Sequence, residues 1–155
     1  MTQDKTLPRG SLPPRWLLKV ITRLHVALNR ISGGTLFNQL GGDDVVFVTM
    51  TGAKTQREIT IPLMYVPYND GVLLVASQGG APRNPVWHNN LLQHPEITVV
   101  HRGRKMHLKA RLARSDEKTA MWPICDQYYA PYADYRIRTD RDIPIFVCEP
   151  VASDR

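Results

Sequence analysis

From residue 45 onward the apolar residues recur at every second position, and most of these runs are separated by turns too short to hold a helical crossover. VVFVTMT (45–51), EITIPLMYV (58–66) and VLLVAS (72–77) read as strands, because alternate side chains of an extended chain face opposite sides. Asn69-Asp70-Gly71 between the second and third run is a hairpin signal. EITVVH (96–101) and KMHLKARLA (105–113) pair around Arg102-Gly103, and IPIFVCE (143–149) supplies a final strand. Strands joined by hairpins pair antiparallel, so the chain is expected to be α+β and mainly β: an antiparallel sheet or small barrel with helices around it. Pro62 cannot donate to a sheet ladder, which predicts an edge position or a bulge there.

Three helical stretches surround the strands, in the order α-β-β-β-α-β-β-α-β. Pro13-Pro14 opens a helix over roughly 14–32 and Gly33-Gly34 closes it. At 100° per residue Trp16, Leu17, Val20, Ile21, Leu24, Ala27, Leu28 and Ile31 share one arc, with Lys19, Arg23 and Arg30 along its edge. Such a helix either packs on the core or lies on an anionic membrane surface through residues 14–32. A short helix spans 85–93 and stops at His94-Pro95. The last begins with Ser115 as N-cap and acids in its first turn, and Pro123 is expected to kink or shorten it. Residues 1–34 thus read as a flexible arm plus a basic amphipathic helix, and 35–155 as one barrel domain, without internal repeats.

The 155 residues carry a formal charge of +6, which favours acidic partners without choosing among them. No nucleic-acid-binding motif is present, and Cys125 and Cys148 lack metal-ligand or redox spacing, so both read as reduced, partly buried thiols. The five histidines are scattered, and a metal site is not expected. No secretory signal is visible, and Lys19, Arg23 and His25 prevent the first helix from spanning a bilayer. The expected location is cytoplasmic, with contact to the inner membrane face an open alternative. No nucleophile elbow, phosphate loop or dinucleotide fingerprint occurs either.

What remains is a pair of turns and a tyrosine stretch. The first turn, TGAKTQR (51–57), brings Lys54, Thr55, Gln56 and Arg57 after Gly52. The second, ASQGGAPRNPVWHNNL (76–91), brings Ser77, Gln78, Gly79 and Gly80, and further on Trp87 and Asn90. Glycine amides beside Lys and Arg are what a chain offers an anionic ligand. In YYAPYADY (128–135), Tyr129, Tyr132 and Tyr135 recur at spacing three, so a turn of helix or 3₁₀ presents them on one side. There they either line a pocket, offering ring faces and hydroxyl donors, or fill the core.

Over roughly residues 36–150 these blocks, TGAKT…PLMYV, ASQGGAPRNPVWHNNL…HPEITV and WP followed by YYAPYADYRIRTDRDIPIFVCEP, resemble the deazaflavin (coenzyme F420)-dependent nitroreductase and F420H2-dependent quinone reductase family of actinobacteria. The resemblance implies a split β-barrel related to the flavin-binding barrels. It also implies hydride transfer from F420H2 to a quinone, nitroaromatic or activated alkene such as an enone. By the same resemblance Lys54 and Arg57 face the phosphate and carboxylate tail, with Thr49, Thr55 and Gln56 adding polar contacts. Pro62, Leu63 and Tyr65 line the groove beside the ring. Ala76, Ser77, Gln78 and Gly79 meet the deazaflavin, Ser77 being the hydroxyl donor, while Trp87 and Asn90 complete the cofactor set. Tyr129, Tyr132 and Tyr135 border the acceptor. Alternatives are a split-barrel reductase using FMN and a non-catalytic F420 carrier at the membrane, as monomer or homodimer. The chain departs from the pattern at Gln56, where Gly is usual, at Ile59, where a basic residue is common, and at Gln78, where some relatives place Lys or Asn. A side chain at φ > 0 costs about 1 kcal/mol, and the lost basic residue weakens the grip on a polyglutamate tail.

Overall fold

The computed structural model describes residues 15–32 and 38–152; the polar arm, Pro13-Pro14 and Gly33-Gly34 lie outside them. In chain order the elements are α1 (Arg15–Ile31), β1 (Gln39–Leu40), β2 (Asp43–Thr51), β3 (Glu58–Met64), β4 (Pro67–Tyr68), β5 (Gly71–Val75), α2 (Val86–Gln93), β6 (Glu96–His101), β7 (Arg104–Leu112), α3 (Ser115–Tyr128), α4 (Pro131–Arg138) and β8 (Ile145–Pro150). The strands form one antiparallel sheet in the order β1-β2-β6-β7-β8-β5-β4, with β3 paired to β2. Val45 to Thr51 stand opposite Met64 to Glu58, and β5 runs beside β8 from Val72–Cys148 to Val75–Ile145. After β3 the chain crosses to the far side of the sheet, where the Leu73 amide donates to the Val66 carbonyl at 2.8 Å. The sheet thereby curls into a split barrel. Pro62, opposite Phe47 in β3, pairs through β2 alone and so holds the edge position its missing N–H demands.

Both sheet faces are covered. Val46, Val48, Met50, Val72, Leu74, Phe146 and Cys148 point into the barrel, against Trp87 and Leu91 of α2. The alternate residues Leu73, Val75, Ile145 and Val147 point outward, where Met121 and Cys125 of α3 and Tyr132 of α4 cover them. This double burial is why VVFVTM, VLLVA and IFVC are apolar at both periods. Gly71 is sterically required: a Cβ there would stand 1.9 Å from the Cys148 carbonyl oxygen across the ladder.

α1 rests on the outer face of β2 through Val26, which packs on Val45 and Phe47, with His25 edge-on to Phe47 at 5.2 Å. The arc with the strongest apolar pattern is not the one pressed on the sheet: Trp16, Val20, Leu24 and Ile31 are 66%, 53%, 59% and 83% exposed. Among the described residues, core packing therefore accounts for one flank of α1 and leaves the other uncovered.

Three sequence expectations are corrected at the C-terminal half. Arg114, extended at φ −71° and ψ 160°, caps α3 and Ser115 is its first residue, because the Glu117 carboxylate reaches back to the Arg114 amide at 2.8 Å. Pro123 does not shorten α3, which runs through it to Tyr128. Pro123 and Thr119, whose carbonyl loses its helical partner, are both exposed, so water can take that bond. The last strand starts at Ile145, since Pro144 accepts the Ala76 amide at 2.9 Å but has no N–H to return to the ladder. α4 is locked on α3 by Arg136, whose guanidinium forks onto Asp126 at 2.8 and 2.6 Å and lies 4.2 Å over the Trp122 ring.

Glu117 also receives a two-pronged bond from Arg111 at 3.0 Å. That hydrogen bond, aided by the Arg114 amide, lowers its carboxyl to about 2. A depressed carboxyl stabilises the fold above its unfolded value near 4.5 and loses that contribution as pH falls through about 2. Acid titration of thermal stability is expected to show a loss between those limits, smaller in Glu117→Gln; parallel profiles would refute the assignment.

Candidate functional site

Two cavities open side by side along one end of the barrel, and Pro85 borders both. The first, of about 370 Å³, is walled by the β2–β3 turn and by α2. The turn closes when the Gly52 amide bonds the Arg57 carbonyl at 2.8 Å and the Gln56 amide returns to the Gly52 carbonyl at 2.9 Å. Gln56 stands at φ 55°, so the position does demand the left-handed region that glycine adopts freely. Its side-chain amide donates to the Ala53 carbonyl at 2.9 Å. Asn90, 5% exposed, ties the turn to α2 by accepting the Ala53 amide at 2.9 Å. Lys54 and Thr55 enter the lining together with Asn84, Asn89, Asn90 and Gln93. Lys54 is the one charged side chain among those lining residues.

The second cavity, of about 280 Å³, is narrower in chemistry. Pro62, Leu63 and Met64 of β3 form one wall, and Trp87 another. Ser77, Gln78 and Gly79 form its floor, and Tyr129, Tyr132 and Tyr135 close the remaining side. After Ser77 (φ −75°, ψ −40°) the backbone turns left-handed at Gln78 (46°), Gly79 (65°) and Gly80 (78°). Gly80 lies directly beneath α4: a Cβ there would come within 2.8 Å of the Tyr135 carbonyl oxygen. The Tyr129 and Tyr135 hydroxyls are 3.0 Å apart. Burial pushes the Tyr132 phenol well above the usual tyrosine range. Burial, reinforced by the bond to Tyr135, does the same to Tyr129. Both remain protonated donors at neutral pH.

The structure therefore gathers Pro62, Leu63, Ser77, Gln78, Gly79, Trp87 and the three tyrosines around one cavity, and Lys54, Thr55 and Asn90 around the other. Five further candidates line neither. Thr49 faces outward and bonds Thr60 at 2.8 Å, beside a separate groove with Glu58, Glu96 and His107. Gln56 is folded back on its own turn, and Arg57 is exposed. Ala76 is fully buried in the barrel core. Tyr65 stacks on His101 with ring centroids 3.7 Å apart, and that histidine bonds Asp44 at 3.0 Å. Burial, then the nearby Tyr128 and Asp44, raises the Tyr65 phenol.

Residues the sequence did not single out complete the walls: Met64 and Val75, then Asn84, Pro85, Asn89 and Gln93. Behind them stands Arg141, whose guanidinium bonds the carbonyls of Ala76, Ser77 and Ala81 and the side chain of Asn84. It lies some sixty residues from its partners, so no local pattern marks it. Among the described residues no group of three His, Cys, Asp or Glu side chains could hold a metal ion. No described helix is long and apolar enough to cross a membrane.

The paired cavities suit an elongated ligand with a flat ring at one end and an anionic tail at the other. Apolar Pro62, Leu63 and Trp87 fit a ring face, and Lys54 with its amide neighbours fits a tail phosphate. A family model described as F420H(2)-dependent quinone reductase matches residues 21–150. An F420H(2)-dependent quinone reductase of Mycobacterium tuberculosis is 31% identical over 141 residues, which is 86% of this chain and 95% of that one. A solved F420-H2 dependent reductase superposes with TM-score 0.63 at 36% identity, over 68% of this chain and 93% of its own. Another solved chain, described as a domain-swapped dimer, gives 0.66 at 32% identity over 89% of this chain and 100% of its own.

The left-handed Gln56 gives a direct test of the turn. Gln56→Gly is expected to leave stability within about 0.5 kcal/mol, because released strain offsets added unfolded-state freedom. Gln56→Val is expected to cost about 1–2 kcal/mol in urea unfolding. Equal stabilities for the two would refute the strain.

Proposed function

The chain belongs to the F420H(2)-dependent quinone reductase family, and from that premise we propose that it reduces quinones by hydride, with nitroaromatics and activated alkenes as further acceptors, at the cavity between Pro62, Ser77 and the three tyrosines. Coenzyme F420 is its cofactor, and the chain is an F420H2-dependent reductase. The observation that carries the placement is the pair of cavities sharing Pro85, one cationic at Lys54 and one walled by rings.

When bound, F420H2 supplies the hydride. The chain's own task is to hold two flat partners in contact and keep water away. Pro62, Leu63 and Trp87 provide apolar walls that a ring can lie against, and Lys54 pairs with the tail phosphate through a charge-assisted bond. Thr55 and Asn90 add polar contacts at that end, while the exposed Arg57 reaches carboxylates further along the tail. Ser77 meets the ring edge with its hydroxyl. Across the cavity the Tyr129 and Tyr135 hydroxyls are bonded to each other, and the one proton this pair leaves free is donated to the acceptor oxygen on which negative charge grows. No nucleophile or acid–base dyad is required by this chemistry.

The uncovered flank of α1 fits an anionic lipid surface. Trp16, Val20 and Leu24 are exposed in a row, and the basic hairpin tip Arg102–Lys105 lies toward the Val45 end of β2, on which Val26 packs. A chain that rests there meets a lipid-soluble quinone where it resides. The homodimer is the assembly we favour, since one relative at 32% identity is a domain-swapped dimer; light scattering that returned a monomer mass would remove it.

Oxidation of F420H2 with menadione is expected to proceed in the purified protein. Lys54→Ala should raise the KM for F420H2 roughly tenfold, about 1.4 kcal/mol, and Tyr135→Phe should lower kcat roughly a hundredfold. Absence of turnover with every quinone would sink the acceptor assignment. Co-sedimentation with phosphatidylglycerol vesicles should fall in Trp16→Ser/Leu24→Ser, substitutions that leave the Val26 contact intact; unchanged sedimentation would dismiss the lipid surface.

A further inference from the structure

Arg141 is held between the end of α4 and the start of β8. Its own amide bonds the Thr139 hydroxyl at 3.2 Å. The neighbouring Asp142 pairs with Lys118 of α3, which is 7% exposed. The guanidinium uses four of its five N–H groups on the loop that floors the ring cavity. Nε donates to the Ala81 carbonyl at 3.1 Å, Nη2 to the Ser77 carbonyl at 2.9 Å, and Nη1 to the Ala76 carbonyl at 3.1 Å and to Asn84 Oδ1. Among the described residues it makes no ion pair, and burial lowers its pKa from the usual arginine value. A cation kept without a carboxylate, on carbonyls alone, is spent on backbone geometry.

The consequence follows from the planarity of the peptide. In a trans peptide the C=O and the next N–H point in opposite directions, and no cis bond is present among the described residues. With the Ala76 and Ser77 carbonyls turned toward Arg141, the amides of Ser77 and Gln78 turn away from it. Both residues line the ring cavity, and neither amide has a partner among the described residues. Ser77 is right-handed and Gln78 left-handed, the alternation that converges successive amides on one point. Because Asn84 lines the tail cavity, the same guanidinium also links the two cavities from behind.

We propose that Arg141 is a positioning residue, which fixes the two peptide planes after Ala76 and Ser77 so that the Ser77 and Gln78 amides face the ring cavity as a preformed donor pair for the acceptor edge of the deazaflavin. The assignment rests on the ring occupying that cavity, as argued above. Arg141 touches neither cofactor nor acceptor and acts through the loop. Lysine cannot replace it, since one ammonium cannot span four acceptors held in this fork.

The test compares wild type, Arg141→Lys and Arg141→Ala. Oxidised F420 is titrated by fluorescence, and the amide signals of Ser77 and Gln78 are followed by ¹⁵N NMR. Wild type is expected to shift both amide signals on binding. Both variants should bind at least tenfold more weakly, with smaller amide shifts at saturation and far-UV circular dichroism unchanged. Methylguanidinium should restore affinity in Arg141→Ala and leave Arg141→Lys as it is, which a general loss of stability would not produce. Variants with wild-type affinity and wild-type amide shifts would overturn the role of Arg141, as would weaker binding that methylguanidinium left unchanged. If wild type bound F420 without moving either amide, the ring would lie elsewhere and the placement would fail instead.

Discussion

Burial of both faces of the central strands is the constraint on which everything else rests. In β2, β5 and β8 successive side chains alternate between the barrel interior and the helices outside it. A slip of one residue would exchange those two sets, so the register is fixed by packing on either side rather than by the turns alone. The fixed register then decides where each loop emerges. Gly52 and Ser77 follow the ends of β2 and β5, and their loops become the rims of adjacent cavities. The paired cavities are thus a by-product of barrel closure, with walls completed by β3, α2 and the tyrosines.

The legible parts of the fold were those governed by local periodicity. EITVVH and KMHLKARLA show the alternation, and Arg102-Gly103 turns one onto the other; Asn69-Asp70-Gly71 does mark a hairpin, but the strand it folds onto β5 is the short β4, not the second run, which pairs with β2 instead. Pro62 announced its own edge position by lacking a donor. Gln56 announced strain, because a residue standing where relatives use glycine must take the same dihedral, and it does at φ 55°. The illegible parts depend on competition between neighbours. Ser115 is a good cap by type, yet the carboxylate of Glu117 binds the amide one residue earlier. The apolar arc of α1 could be drawn from spacing, but spacing does not say which flank the sheet occupies.

For the site, the residue types that carry chemistry were visible, and the geometry that sorts them was not. Lys54 lines one cavity, and Ser77 and the three tyrosines line the other. Ala76 and Tyr65 belong to the same motifs, but Tyr65, past the end of β3, stacks on His101, and strand alternation continued past β5 sends Ala76 into the core with Val72 and Leu74. Thr49, an odd-numbered residue of β2, faces away from the cavities for the same reason. Arg141 escaped notice because its meaning lies wholly in carbonyls sixty residues upstream, and backbone acceptors have no sequence signature.

Gly80 gives the site a history as well as a shape. Because its missing Cβ lets the Tyr135 carbonyl approach so closely, the tyrosine wall and the Ser77–Gly79 floor of the second cavity are packed as one body. Neither can be lengthened, tilted or replaced without disturbing the other. On the proposed placement, a change of acceptor preference in a chain built this way is expected from exchanging the side chains at Tyr129, Tyr132 and Tyr135 rather than from insertions between wall and floor. A lineage could change what it reduces many times over and still keep the same reductant.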